Sequence, residues 1–299
     1  MHRMVNRMIV SALLAGALAC PAAAEERAQR PELVVPRLSK VPTIDGRIEP
    51  GEWDRAAQVS GFIAATGAMG GRMMPVESRI DLAHDGERFY MAVYCQLPPG
   101  VKPSMKYRRR DEPVYMDNYQ MELWLAPPAR GSLAAYQMIG NAYGAIYDVK
   151  QVPALGAVTA GWNGKWDFKN TYKTGEYWTA ELSIPFAEFG VDKVDPKEFW
   201  GGLVAVAWPQ RSWPYSFGWY KNVDTHAKMY MSDAGTCVRV EDLSGLFENK
   251  LAAKLTLVNG GGADGQFTVT FTHDGKEVLS EKVAVPTGQA KAYAPRRDL

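Results

Sequence analysis

The chain has 299 residues, with 34 Lys and Arg against 33 Asp and Glu for a formal net charge of +1, and 46% of its residues are hydrophobic. A near-neutral chain exerts no long-range pull on nucleic acid or on an anionic membrane surface, so neither is an expected partner. The sequence holds no CxxC, no HExxH and no Cys/His cluster, which excludes a zinc site built on such spacing.

Residues 1–24 carry Arg3 and Arg7, an apolar stretch over 8–19, and Ala22-Ala23-Ala24 ahead of Glu25 and Glu26. This pattern predicts a cleavable secretory signal, hence a periplasmic or extracellular protein. The apolar stretch falls short of the roughly 20 residues of a membrane span, so no span is expected. Cys20 offers a second route, a lipoprotein acceptor, although Ala17 stands where such sites usually carry Leu. Loss of Arg3 and Arg7 with the signal takes the charge from +1 to about −1. Two cysteines then remain, Cys95 and Cys237. Export permits a disulfide between them, while the apolar alternation around Cys95 equally suits a buried free thiol.

Residues 25–40 are charged and Pro-containing without periodicity, and read as a leader or linker. From 41 to 242 short apolar runs recur between turn residues, the pattern of an all-β antiparallel sandwich. Alternation is clearest at 89–95 and 119–125; further strands are expected at 79–83, 135–139, 145–150, 177–184, 203–208 and 236–240. In the strand from 119, Tyr119, Met121, Leu123 and Leu125 share the core face, which leaves Gln120, Glu122 and Trp124 on the other. Pro185 ends a strand, and a helical turn from Phe186 is stopped by Gly190. Trp53 and Trp178 are expected in the core. The basic run Lys106 to Arg110, broken by Tyr107 and followed by Asp111-Glu112, reads as a solvated loop.

After Leu246 Trp disappears and Gly260-Gly261-Gly262 interrupts the chain. Strands at 251–258, 267–272 and 277–285, with Asp274-Gly275 as a hairpin turn, make residues 246–299 part of an immunoglobulin-like module that normally has about seven strands. Such an incomplete module implies either a longer polypeptide with a C-terminal partner domain or a tail packed on the first domain.

Several segments occur in a telling order. The first is Pro42-Thr43-Ile44-Asp45-Gly46, continued by Pro50-Gly51-Glu52-Trp53 and Ala56. Next come Met121-Glu122-Leu123-Trp124-Leu125-Ala126-Pro127 and Tyr136-Gln137-Met138-Ile139-Gly140-Asn141-Ala142-Tyr143-Gly144. Last are Glu176-Tyr177-Trp178-Thr179-Ala180-Glu181-Leu182-Ser183-Ile184-Pro185-Phe186 and Trp200-Gly201. Together they resemble the family 9 carbohydrate-binding modules over 41–242. The resemblance implies a β-sandwich that binds a saccharide ligand without catalysis, in a setting of polysaccharide degradation. It implies Glu122 and Asn141 as polar sugar contacts, with Trp124 on the same face as Glu122, Tyr115 near one clamp ring and Trp213, Trp219 or Tyr230 supplying the other. The sequence departs from the family where Asn118-Tyr119 replaces a paired Asp, and where Ile139 replaces an Arg whose guanidinium would take sugar hydroxyls.

Other readings remain open at this point. Asp111, Glu112, Asp117 and Glu122 supply carboxylates for a glycosidase pair, but no nucleophile motif such as GxSxG is present. A haem site would draw on Met with His84 or His226, both expected at the surface. A purely structural role in assembling an envelope protein is the fourth reading. Calcium fits any of these through Asp45, Glu49 and Glu52, which cluster beside turns without EF-hand spacing; no other cofactor is expected.

Overall fold

The computed structural model describes residues 7–11, 30–64, 71–74, 76–128, 134–152, 157–159, 161–207, 211–214, 225–244, 249–273 and 275–299. In chain order the strands begin with β1 (Arg7–Ser11), β2 (Glu32–Pro36), β3 (Ala57–Val59), β4 (Phe62–Ala64), β5 (Ser78–His84), β6 (Arg88–Gln96) and β7 (Gln120–Ala126). Then come β8 (Ala135–Asn141), β9 (Ile146–Val152), β10 (Ala157–Thr159), β11 (Asp167–Lys173), β12 (Tyr177–Pro185), β13 (Phe199–Ala207) and β14 (Arg211–Pro214). The last are β15 (Ala227–Ser232), β16 (Cys237–Ser244), β17 (Lys250–Val258), β18 (Gly265–His273), β19 (Lys276–Val285), β20 (Ala290–Tyr293) and β21 (Arg296–Asp298).

These strands form two nine-stranded sheets and one small one. The first sheet runs β10-β9-β8-β7-β13-β14-β4, with β15 beside β13 and β2 beside β15. The second runs β11-β12-β6-β5-β3-β16-β17-β20, with β21 beside β17. Period-two alternation explains why they stack. Met121, Leu123 and Leu125 of β7 meet Phe89, Met91 and Val93 of β6 in one core that also holds Trp178 and Trp200. The predicted end of β12 is also found: a 3-10 turn over Phe186–Phe189 stops at Gly190, which is left-handed at φ +74°.

Two expectations are corrected. The sheets are mixed rather than antiparallel, because β2 pairs parallel with β15 and β3 parallel with β16; strands so distant in sequence are not bound to hairpin geometry. The supposed linker over 25–40 contains β2, whose Leu33 and Val35 enter the main core. For the tail, the arrangement found is the alternative in which it packs on the first domain: the sheet runs unbroken from β16 into β17. Its own apolar cluster, including Leu255, Leu257, Phe267, Phe271 and Val283, lies where β17 meets the β18–β19 hairpin. Residues 1–6 and 12–29, including Cys20, lie outside the described residues, and β1 runs parallel to β18.

Cys95 and Cys237 are both buried and unpaired. Ser78 Oγ lies 3.7 Å from Cys95 Sγ, and Cys237 Sγ lies 3.6 Å from the Arg55 carbonyl. Burial pushes both thiols up to about 12, so the free-thiol alternative is the one realised.

The first of the ordered motifs is an anchor. Gly46 turns at φ +89°, with its Cα so close to Asn170 that a Cβ would stand 2.6 Å from backbone. The Asp45 and Gly46 amides donate to Glu181 Oε2 at 3.1 and 2.9 Å, and the Trp53 indole donates to Oε1 at 3.0 Å. Thr179 Oγ1 returns a bond to the Gly46 carbonyl at 2.8 Å. The "I-D-G" arch is thereby sewn to the outer face of β12, with Trp53 capping Tyr90 and Ala92 of β6. Burial outweighs these three donors and lifts the Glu181 carboxyl to about 7. Beside it Arg239 reaches Asp81 at 3.0 Å and the Trp53 and Ala56 carbonyls.

Candidate functional site

The outer face of β7, β8 and β13 carries the residues that the sequence singled out. Gln120, Glu122 and Trp124 share it as predicted, opposite Ala207, Ala205 and Leu203 of β13 and Asn141, Ile139 and Gln137 of β8. This face is covered, however. Trp124 is buried against Ala135, Leu203 and Ala205, with the His226 ring 6.0 Å away. Glu122 is 1% exposed and accepts the Trp124 indole N–H at 2.5 Å and the Gln137 amide at 2.6 Å. Gln137 in turn accepts from Gln151 at 3.2 Å. Glu122 and Trp124 are thus internal partners of each other.

Asn141 is 0% exposed, and both ends of its amide are committed. Its Nδ2 donates to the Tyr107 carbonyl and to Asp117 Oδ2, each at 2.8 Å. Its Oδ1 accepts the Tyr143 and Ala145 amides, each at 3.0 Å, and so closes the β8–β9 turn. The role implied for Asn141 as a sugar contact is corrected accordingly: it builds the site from beneath. Ile139, where an Arg was expected, is buried with Val114, Ala145, Tyr107 and Tyr147. An apolar residue here gives Val114 a seat, and with it the segment 105–117 lies down over the sheet.

That segment is fixed at many points. Asp117 accepts the Lys106 amide at 2.9 Å, and the Asp111 amide donates to the Ile146 carbonyl at 2.9 Å. Gln120 holds the Tyr115 carbonyl at 3.2 Å. Glu112 accepts the Arg108 and Arg109 amides and the Arg109 side chain, which hold its carboxyl down at about 2. Arg110 crosses to Asp148 at 2.6 Å, a carboxylate that also takes the Trp166 indole at 2.7 Å and the Gly164 amide at 3.0 Å. The expected solvated loop is exposed at Lys106, Arg108 and Arg109, but its end is pinned.

The outcome is a firmly mounted aromatic surface. Tyr115 is 43% exposed and Met116 65%. The Tyr115 ring lies 5.1 Å from Tyr147 at 65°, Tyr107 Oη meets Met116 Sδ at 3.7 Å, and the Arg108 guanidinium stands 4.0 Å over Tyr143. Of the implied clamp rings Tyr115 alone is seen exposed. Trp219 and the side chain of Trp213 lie outside the described residues; the Trp213 backbone sits in β14 opposite Ile63. Sequence reasoning missed Tyr147, yet its place opposite Ile139 follows from the β8–β9 register. Tyr107 left no periodic signal.

No family model matches the chain, and no curated protein matches it by sequence. Among solved structures, a candidate carbohydrate-binding protein from Bacteroides uniformis is similar at a TM-score of 0.51 and 14% identity, over 67% of this chain and 97% of that one. The chain shares that fold. Two family 9 carbohydrate-binding modules from Caldicellulosiruptor kristjanssonii, one in complex with cellotriose and one with glucose, match at TM-scores of 0.45 and 0.46. They are 13% and 11% identical, over 68% and 67% of this chain and 94% and 96% of theirs. At 14% identity the likeness to the Bacteroides uniformis protein speaks for fold alone, and the site stands on its own geometry.

The other candidate chemistries meet the same geometry. Asp117 and Glu122 are buried acceptors, and Glu112 is tied to its own turn. His84 and His226, expected at the surface, are both 0% exposed. His84 closes β5 with Nε2 3.0 Å from the Ser232 carbonyl and its ring against Phe186, and burial lowers its pKa. For calcium, Asp45 Oδ1 accepts the Arg47 amide at 2.9 Å and Glu52 Oε1 the Thr43 amide at 2.7 Å. Among the described residues no group of three or more His, Cys, Asp or Glu is placed to hold a metal ion. No helix among them is long and apolar enough to cross a membrane.

Proposed function

We propose that this chain is an exported, non-catalytic saccharide-binding sandwich serving a glycan-degrading system, and that sugar docks on the aromatic surface of the 105–117 segment. The observation that carries the reading is the exposed Tyr115 ring braced by Tyr147, with Met116, Tyr107 and the Arg108–Tyr143 pair around it. The C–H face of a pyranose packs on such rings, while a nearby guanidinium supplies hydroxyl donors. Because the segment is held by Asn141, Asp117, Gln120 and Asp148, the rings stand ready and binding costs little ordering. The fold shared with the Bacteroides uniformis protein supports the same reading, as does the ordered set of motifs. The leading segment over 1–24 supports export, which N-terminal sequencing of the secreted protein would check by a start at Glu25.

Glycan-array binding followed by titration with glucose and cellotriose tests the central point. Saturable binding that weakens about tenfold in Tyr115→Ala is expected; a wild-type protein blind to every saccharide at millimolar concentration would sink it. One observation favours a second reading, a structural sandwich in an envelope assembly: Glu122, Trp124 and Asn141 are all spent on internal bonds. On that reading the array stays blank, and the chain co-purifies with an envelope partner.

A further inference from the structure

A second polar feature adjoins the segment that carries the aromatic surface. An open groove of about 690 Å³ is bounded by the start of β6, the end of β12 and the segment 163–167 that leads into β11, and Arg110 joins it from the 105–117 segment. Such a volume is within the range of small-ligand sites. Its polar lining alternates in kind: Arg88, Arg110 and Lys165 with Asn163, Asp167 and Glu188, while the buried Trp166 forms an apolar wall.

Both guanidiniums are immobilised along one edge. Arg88 binds Asp167 at 2.6 Å and Ser183 Oγ at 2.8 Å through Nη2. Arg110 binds Asn163 Oδ1 through Nε at 3.1 Å, and Asp148 and the Gly164 carbonyl through Nη2 at 2.6 and 3.1 Å. That leaves Nη1 of each, with Lys165 Nζ, Asn163 Nδ2 and Glu188 Oε1, without a hydrogen bond among the described residues. Fixed donors next to fixed acceptors match a ligand whose every group can both donate and accept, as a hydroxyl does. Asp167 and Glu188 of the lining, with Asp148 bound to Arg110, balance the charges of Arg88, Arg110 and Lys165, so no net positive charge favours a carboxylate or phosphate over a neutral ligand.

We propose that this groove is a second saccharide subsite for a neutral hexose unit, so that the sandwich holds an oligosaccharide at two places. The inference rests on the saccharide-binding reading above. The probe is cellotriose, with glucuronate as the charged competitor. The readout is the Trp166 indole N–H resonance, assigned through Trp166→Phe and sensitive to the groove because that N–H sits on Asp148 at 2.7 Å. The wild type and the Tyr115→Ala/Tyr147→Ala variant are both expected to show a saturable shift with cellotriose. Lys165→Ala/Glu188→Ala, which removes two surface side chains from the lining, is expected to weaken that shift about tenfold or more while the melting temperature holds. If cellotriose binds through the tyrosines and leaves the Trp166 resonance unmoved, the groove proposal falls and the saccharide function stands. Tighter binding of glucuronate than of cellotriose overturns the neutral-ligand assignment. A wild type that binds no saccharide by either readout overturns both.

Discussion

Replacing Asn141 separates a builder of the site from a ligand contact. In Asn141→Ala four hydrogen bonds vanish, and the Tyr143 and Ala145 amides and one Asp117 oxygen lose partners in a place with 0% exposure at the missing side chain. At about 1 kcal/mol net for each bond, the loss is about 3–4 kcal/mol. At about 2–4 °C for each kcal/mol in a domain of this size, the melting temperature falls by about 6–16 °C. Asn141→Asp sharpens the test. It keeps an acceptor for the two amides but turns an anionic oxygen towards Asp117 Oδ2 and the Tyr107 carbonyl, where Nδ2 donated at 2.8 Å. At neutral pH it should therefore be at least as unstable as the Ala variant, and it should recover below about pH 5 as that oxygen gains a proton. Urea and thermal unfolding at pH 4.5 and 7.5 read both effects. An Asn141→Ala protein with unaltered stability and abolished sugar binding would refute the reasoning and restore the contact role.

Gly46→Ala forces a Cβ to 2.6 Å from the Asn170 backbone at a left-handed turn, and should cost more than the roughly 1 kcal/mol of an ordinary left-handed Gly replacement; a melting curve superimposed on wild type would contradict it. Glu181 gives a pH signature: its carboxyl is raised from 4.5 to about 7 in the fold. Between those values the native state holds a proton that the unfolded chain releases, so its stabilising contribution is complete below about 4.5 and is lost as pH rises through 7. Relative to Glu181→Gln, wild type should lose stability across that window with a slope of at most about 1.4 kcal/mol per pH unit; parallel pH profiles would contradict the burial argument. Neither Cys95 nor Cys237 should react with a thiol reagent in the native state, and both should react in denaturant; a missing thiol under denaturing, non-reducing conditions would reveal a disulfide.

The body of the sandwich was legible because period two is a local signal. The alternation in 119–125 assigned Met121, Leu123 and Leu125 inwards and Glu122 and Trp124 outwards, and both assignments hold. Exposure was not legible, because it depends on what lies over a face. The segment 105–117 carries no periodicity, so neither its seat on Ile139 and Asn141 nor the burial of those residues could be read from the chain. The same limit hid β2: a five-residue strand in a charged stretch becomes visible only through its partner β15, nearly two hundred residues on. The ordered motifs identified the fold through groups that hold it together, as Glu181 does for Trp53 and Gly46, and such groups need not be the ones that touch a ligand.

The central claim is that the exposed Tyr115, braced by the partly buried Tyr147, holds sugar. Isothermal titration of wild type and of Tyr115→Ala/Tyr147→Ala with cellotriose, each with its unfolding midpoint measured, tests this most directly. Tyr115 is 43% exposed, so the double variant should fold with a midpoint within a few degrees of wild type and bind about tenfold more weakly, a loss of about 1.4 kcal/mol. Equal affinity in the two proteins would contradict the placement of the site, and the absence of binding in both would contradict the function.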